Sequence, residues 1–151
     1  MKLRFVWVGK TKNAPLKVLL DDYLDRITKF ARAEVVELRD RGDGEATLAS
    51  EGEDICKRLK GDPFVILLDE GGRSFTSAGL AALLEEQMGK GTKQMTFVVG
   101  SHSGVASRVR QRADMAISLS AMTLTHEMAR LVLMEQIYRA HTIIHGLKYQ
   151  K

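Results

Sequence analysis

The sequence predicts an α/β fold with a mostly parallel sheet, in a single domain over residues 1–151, and three observations carry that expectation. Strand-like and helix-like stretches alternate along the chain, the pattern of right-handed βαβ units. The run FVILLD at 64–69 is apolar on both faces, as a strand covered by helices on each side must be. With 151 residues and 44% hydrophobic content, one core that hides roughly 70% of the unfolded surface accounts for the whole chain.

The elements follow in order. KLRFVWVG (2–9) is a β-rich run, and from about 15 to 30 the positions Leu16, Leu19, Leu20, Tyr23, Leu24 and Ile27 recur at helical spacing. AEVVEL (33–38) returns to strand character, and the charged loop RDRGDGEA leads into a weaker helix ending near Lys60, whose apolar contacts include Ile55 and Leu59. Asp62-Pro63 breaks the chain before the 64–69 strand. A helix, a strand (MTFVVG, 95–100), a short helix (105–112), a strand (114–119) and a long last helix (126–145) complete the pass.

No run approaches the roughly 18 apolar residues of a membrane span, and MKLRFVWVGK lacks the apolar core of a signal peptide, so the expectation is a cytoplasmic protein. Cys56 is the only cysteine, which leaves no internal disulfide. The net charge of +4 is uneven: residues 1–90 hold 15 basic against 16 acidic side chains, and residues 91–151 hold 8 against 3. A basic second half suits a phosphate-bearing partner and equally a solvated face.

Three loops stand at carboxyl ends of predicted strands, where ligands collect in open α/β sheets. They are DEGGRSFTS after 64–69, GSHSGV after 95–100, and the stretch SLSAMTLTHEMAR from 118. Gly71, Gly72, Gly100 and Gly104 would let backbone approach a ligand closely, or simply make turns. Neither GxGxxG nor GxxxxGK[ST] occurs, which argues against a conventional dinucleotide site or P-loop.

Other chemistries are weakly encoded. His126-Glu127 begins a zinc-protease HExxH pattern, but position 130 is Arg, so the second ligand is missing. His141 and His145 are four apart with no third ligand nearby, and the expectation is surface or interface histidines and no metal. Ser101 and Ser103 flank His102, but neighbours in a loop seldom face one another. Thr125 is a credible N-cap for the last helix, and Glu127 complements its dipole. That helix carries more apolar positions than one stripe requires, from Met128 to Ile144. Since packing on the sheet uses one side, the other is expected to meet a second subunit in a twofold homodimer. Arg130 and Arg139 within it need a carboxylate or a ligand. In the tail, Tyr149 beside Lys148 and Lys151 suits stacking on a base while holding its phosphate.

Four stretches together resemble one family. MKLRFVWVGK, LLDEGGRSFTS, FVVGSHSG and LSAMTLTHEMARLVLMEQIYRAHTIIHG run from end to end and are similar to the ribosomal RNA large subunit methyltransferase H family, of the SPOUT class. The resemblance implies an S-adenosyl-L-methionine-dependent enzyme that methylates N3 of a pseudouridine in 23S rRNA, working as a homodimer on the ribosome, with a C-terminal trefoil knot. It implies a cofactor pocket lined by Leu68, Gly100, Leu119, Ser120, Ala121, Met122, Thr123 and Leu124, whose small hydroxyl residues leave room and polar atoms for the adenosyl group. Tyr149, Lys151 and Arg139 are then the candidates for orienting the base or stabilising its anion. The chain departs from the family at Ser101, where a second glycine is usual, and at Gln150, where a histidine is usual. Glutamine hydrogen-bonds but exchanges no proton. The alternative is an RNA- or ribosome-binding dimer of the same fold with weak or lost transfer.

Overall fold

A computed structural model describes residues 1–149. Gln150 and Lys151, the latter a candidate catalytic residue, lie outside the described residues. The element order is β1 (Lys2–Val8), α1 (Ala14–Thr28), β2 (Ala33–Leu38), α2 (Glu45–Arg58), β3 (Val65–Ser74), α3 (Ser77–Gly89), β4 (Gln94–Val99), α4 (Ser107–Arg112), β5 (Met115–Ser118) and α5 (His126–Ile144). Every pairing in the sheet is parallel and the strand order is β2-β1-β4-β3-β5.

Residue parity along the strands sorts the core into two layers. Leu3, Phe5, Trp7, Ile66, Leu68, Met95, Phe97, Val99 and Ile117 point to the side covered by α1, α3 and α5. Val6, Val8, Val65, Leu67 and Val98 point to the other, against Ile55 and Leu59 of the α2 region and Val109 of α4. Phe5 and Phe97 stack across the β1–β4 pair at 5.6 Å. Each such fully buried side chain contributes about 1.5–3 kcal/mol, and strands buried on both faces are the reason FVILLD has no polar alternation.

Caps start the helices where the sequence changes period. Asn13 accepts from the Leu16 N–H at 3.1 Å with Pro15 in the first turn of α1, Thr76 accepts from Gly79 at 3.0 Å in α3, and Thr125 accepts from Met128 at 3.3 Å in α5.

Two expectations are corrected here. The segment after residue 69 is not a loop: β3 shifts register between Leu68 and Arg73 and then continues beside β5, Arg73 opposite Ile117 and Ser74 opposite Ser118. Gly72 serves that crossing and not a ligand, since a Cβ on it would lie 2.6 Å from the Ile117 backbone. Second, the apolar surplus of α5 does not by itself demand a partner subunit. The helix lies between α1 and α3 on the sheet, so neighbouring helices cover its flanks as well as its base. Leu133, Met134, Ile137 and Ala140 are fully buried this way, while Met128 and Ile143 remain exposed.

Candidate active site

The carboxyl ends of β3, β4 and β5 open onto a cavity of about 670 Å³, with Leu68, Val99 and Ser118 at its floor and the 119–126 connection as one wall. Of the eight residues expected in a cofactor pocket, the structure brings seven together there: Leu68, Gly100, Leu119, Ser120, Met122, Thr123 and Leu124. Ala121 belongs to the same connection but is turned out to solvent and does not line the cavity.

The hydroxyls of the 118–125 stretch act mainly on their own loop. Ser118 donates to the Ser120 carbonyl at 2.9 Å, the Ser120 hydroxyl accepts from the Met122 N–H at 2.9 Å, and Thr125 caps α5. These are the short-range bonds by which Ser and Thr shape turns, and they replace the Gly, Asn or Asp that an ordinary connection would use. Gly100 has a similar internal reason: a Cβ there would meet the Gly104 carbonyl oxygen at 2.8 Å, because residues 101 and 104 bridge back on one another. Gly104 itself has φ +88°, a left-handed conformation suited to glycine.

Charge enters the cavity from residues outside the set that the sequence assigns to the cofactor or to catalysis. Asp69 at the end of the apolar run of β3 pairs with Arg110 of α4 and accepts the Gly71 N–H at 2.9 Å. Glu70 adds a second carboxylate at the rim. His102 pairs with Asp43, which reaches over from the loop before α2. His126 lines the wall with its ring centroid 6.1 Å from that of His102. Its pKa is lowered, first by burial and then by the Arg130 charge. Asp69 could have been sought as the polar end of an apolar strand. Asp43 carries no local signal, being 59 residues from its partner, and His126 is legible in the sequence only as half of an incomplete zinc pattern.

Below the cavity, α5 is tied to the end of β1. The Glu127 carboxylate accepts the N–H groups of Lys12 at 2.6 Å and Asn13 at 3.2 Å, which holds its pKa below the usual value. Arg130 is fully buried, donates to the Val8 carbonyl at 2.6 Å and to the Thr11 hydroxyl at 3.0 Å, and lies over the Trp7 ring at 5.0 Å. Among the described residues no carboxylate forms an ion pair with it, so this buried cation is held by neutral acceptors and a π face.

The tail candidates stand elsewhere. Arg139 pairs with Glu135 at 2.6 Å and lies over the Tyr149 ring at 4.6 Å. Tyr149 packs edge-on against Tyr138 and shares a 3.3 Å hydroxyl contact with Tyr23. Burial and that contact raise its pKa, so the hydroxyl stays protonated. Thirteen residues of α5 separate Arg139 from His126, about 20 Å at 1.5 Å per residue. Within one chain the tail cluster and the cavity are therefore separate. Of the paired histidines, His145 is exposed, whereas His141 is buried rather than on the surface and stacks on Phe30; the described residues hold no group of three or more His, Cys, Asp or Glu placed to hold a metal.

Comparison with known proteins gives a consistent picture. The family model described as "predicted SPOUT methyltransferase" matches residues 1–150. The ribosomal RNA large subunit methyltransferase H of Syntrophotalea carbinolica is 41% identical over 153 residues, covering 99% of this chain and 98% of that protein. That of Streptococcus pneumoniae is 38% identical over 159 residues, covering all of both. Among solved structures, a probable methylase family protein from Haemophilus influenzae superposes with a TM-score of 0.58 at 13% identity, over 99% of this chain and 70% of that one.

Proposed function

The chain belongs to the SPOUT methyltransferases, in the family of ribosomal RNA large subunit methyltransferase H, and from that premise we propose that it methylates N3 of a pseudouridine in 23S rRNA with S-adenosylmethionine as donor. The observation that carries the reading is the cavity, in which seven residues singled out for the cofactor meet at the carboxyl ends of three parallel strands. The cavity suits that ligand: its volume lies within the range for small-molecule sites, Leu68, Val99, Leu119 and Leu124 offer apolar faces, and Glu70 offers negative charge at the rim toward a cationic group.

When bound, S-adenosylmethionine supplies an electrophilic methyl group on a sulfonium. The protein's share is position. Leu68, Leu119 and Leu124 would cover the adenine ring, backbone groups of the 119–124 connection would meet its edge, and the Gly100 loop would close the opposite side. Alignment of this kind accounts for roughly 7–11 kcal/mol of barrier reduction in well-oriented reactions. Arg139 and Tyr149, with Lys151, orient the target base and stabilise the anion its ring develops.

Since Arg139 stands about 20 Å along α5 from His126 of the cavity wall, the reading includes a twofold homodimer in which the tail of one subunit serves the cavity of the other, acting on cytoplasmic ribosomes. Exposed Met122, Met128, Leu19 and Val18 supply apolar surface for such an interface. The test is mass spectrometry of rRNA from cells with and without the gene. N3-methylpseudouridine that disappears on deletion and returns with the purified protein and S-adenosylmethionine supports the reading. Ribosome association without methylated product would favour a binding dimer, the alternative motivated by Gln150.

A further inference from the structure

Methylating an imide nitrogen requires that its proton leave, and the cavity offers few groups to take it. Asp69 is committed to Arg110 and the Gly71 N–H, Glu70 is an exposed rim residue, and His102, held through one ring nitrogen by Asp43, is likewise exposed to solvent. Tyr149 holds its own proton too firmly to accept another group's in a functional exchange. His126 differs from all of these. It is half-buried in the cavity wall, its ring makes no hydrogen bond among the described residues, and its ring neighbour is His102 at 6.1 Å. It also borders a second, shallower and mostly apolar groove formed with Asn13, Pro15, Leu16 and Met128, and it is the one ionisable side chain common to both cavities among the described residues.

We propose that His126 is a catalytic residue that accepts the imide proton during methyl transfer, an inference that rests on the reading of the acceptor as a uracil-type ring nitrogen. As the N3 lone pair forms the new N–CH3 bond, the N3–H proton passes to the free lone pair of the imidazole, and the electrons of the breaking S–CH3 bond stay on sulfur as a neutral thioether. One positive charge leaves sulfur and one appears on His126, so the net charge of the site is unchanged.

The surroundings fit that exchange. Arg130 from the same helix and His102 from the loop after β4 oppose protonation, while Glu127 and Asp40, the latter from the loop after β2, favour it, and burial outweighs both. Burial and the neighbouring cations thus favour the neutral imidazole, the form able to accept a proton. A cation lost from the cavity during reaction raises its proton affinity at the moment a proton is offered.

The experiment reads His126 directly as well as the rate. Imidazole resonances are titrated by NMR in the complexes with S-adenosylmethionine and with its demethylated product S-adenosylhomocysteine, assigned by the His126→Gln variant. The expected result is a His126 pKa higher by about one unit in the product complex, from the removal of one nearby charge. Equal values would place the ring out of reach of the reaction and overturn the proposal. In parallel, single-turnover methylation of ribosomes by His126→Gln at saturating cofactor is expected to fall about 10²–10⁴-fold, losing the acidic limb of its pH profile, with cofactor affinity by calorimetry within about threefold of the parent. A parent-like rate, or a loss explained by weaker cofactor binding, would also overturn it. If the parent itself transfers no methyl group to RNA, the functional reading fails first and the proposal falls with it.

Discussion

His141 is buried to 2% exposure with neither ring nitrogen hydrogen-bonded among the described residues, packed flat on Phe30 at 5.5 Å. Burial, with His145 and the amino group of Met1 as smaller contributors, lowers its pKa from 6.5 to about 4. The unfolded chain takes up this proton near pH 6.5, and the folded chain does not until about pH 4. Stability from this residue is therefore present above pH 6.5 and falls as the pH drops through that window, by about 3 kcal/mol in full. Urea unfolding at pH 7 and pH 4.5 is expected to show the loss, and His141→Phe, which keeps the stacking, is expected to remove most of the difference. At Gly72 the outcome is steric: Gly72→Ala drives a methyl into the Ile117 backbone and is expected to cost about 1–3 kcal/mol, seen as a lower unfolding midpoint at unchanged m-value.

At the scale of elements, the first turns of α5 join three tasks. His126 faces the cavity, Glu127 holds the backbone of the β1–α1 loop, and Arg130 holds the end of β1. Replacing Glu127 by Ala leaves the Lys12 and Asn13 N–H groups without their charged acceptor. The expected loss is about 1–3 kcal/mol, together with faster amide exchange at residues 12 and 13 and little change elsewhere. If exchange there were unaltered, the carboxylate would not be what fixes this loop.

The sequence made the alternation of elements legible, and with it β2, whose bounds at 33 and 38 are as expected, because period and breakers are local properties. It did not make the far half of β3 legible. EGGRS has no β-branched or aromatic residue, and its strand conformation comes from pairing with β5, a tertiary effect. The site divides the same way. Leu68, Gly100 and 119–124 were accessible through strand ends and family resemblance, whereas the pairs Asp43–His102 and Asp69–Arg110 join residues far apart in sequence and exist only once the sheet is assembled.

For the whole molecule, the separation of cavity and tail within one chain leads to a mixing experiment. A variant defective in the cavity, Gly100→Val, and one defective in the tail, Arg139→Ala with Tyr149→Phe, are each expected to be weak alone. Exchanged into mixed dimers, about half of the sites would combine an intact cavity with an intact tail, and activity should recover. No recovery in demonstrably mixed dimers, or a stable monomer in sedimentation at micromolar concentration, would remove the shared-site reading. Ribosome affinity is expected to weaken steeply with added salt, as phosphate contacts require.

The strand order has one more consequence, in time rather than space. β4 lies between β1 and β3, so until residues 94–99 exist, β1 with β2 on one side and β3 on the other have no strand to join them. β3 then waits for β5, about fifty residues after its own start, to cover its other edge. A chain emerging from the ribosome thus carries open strand edges through most of its synthesis. Its sheet closes late, by non-local pairing, which is the slow class of folding reaction. Nascent chains stalled before residue 94 are the ones that would depend most on chaperones.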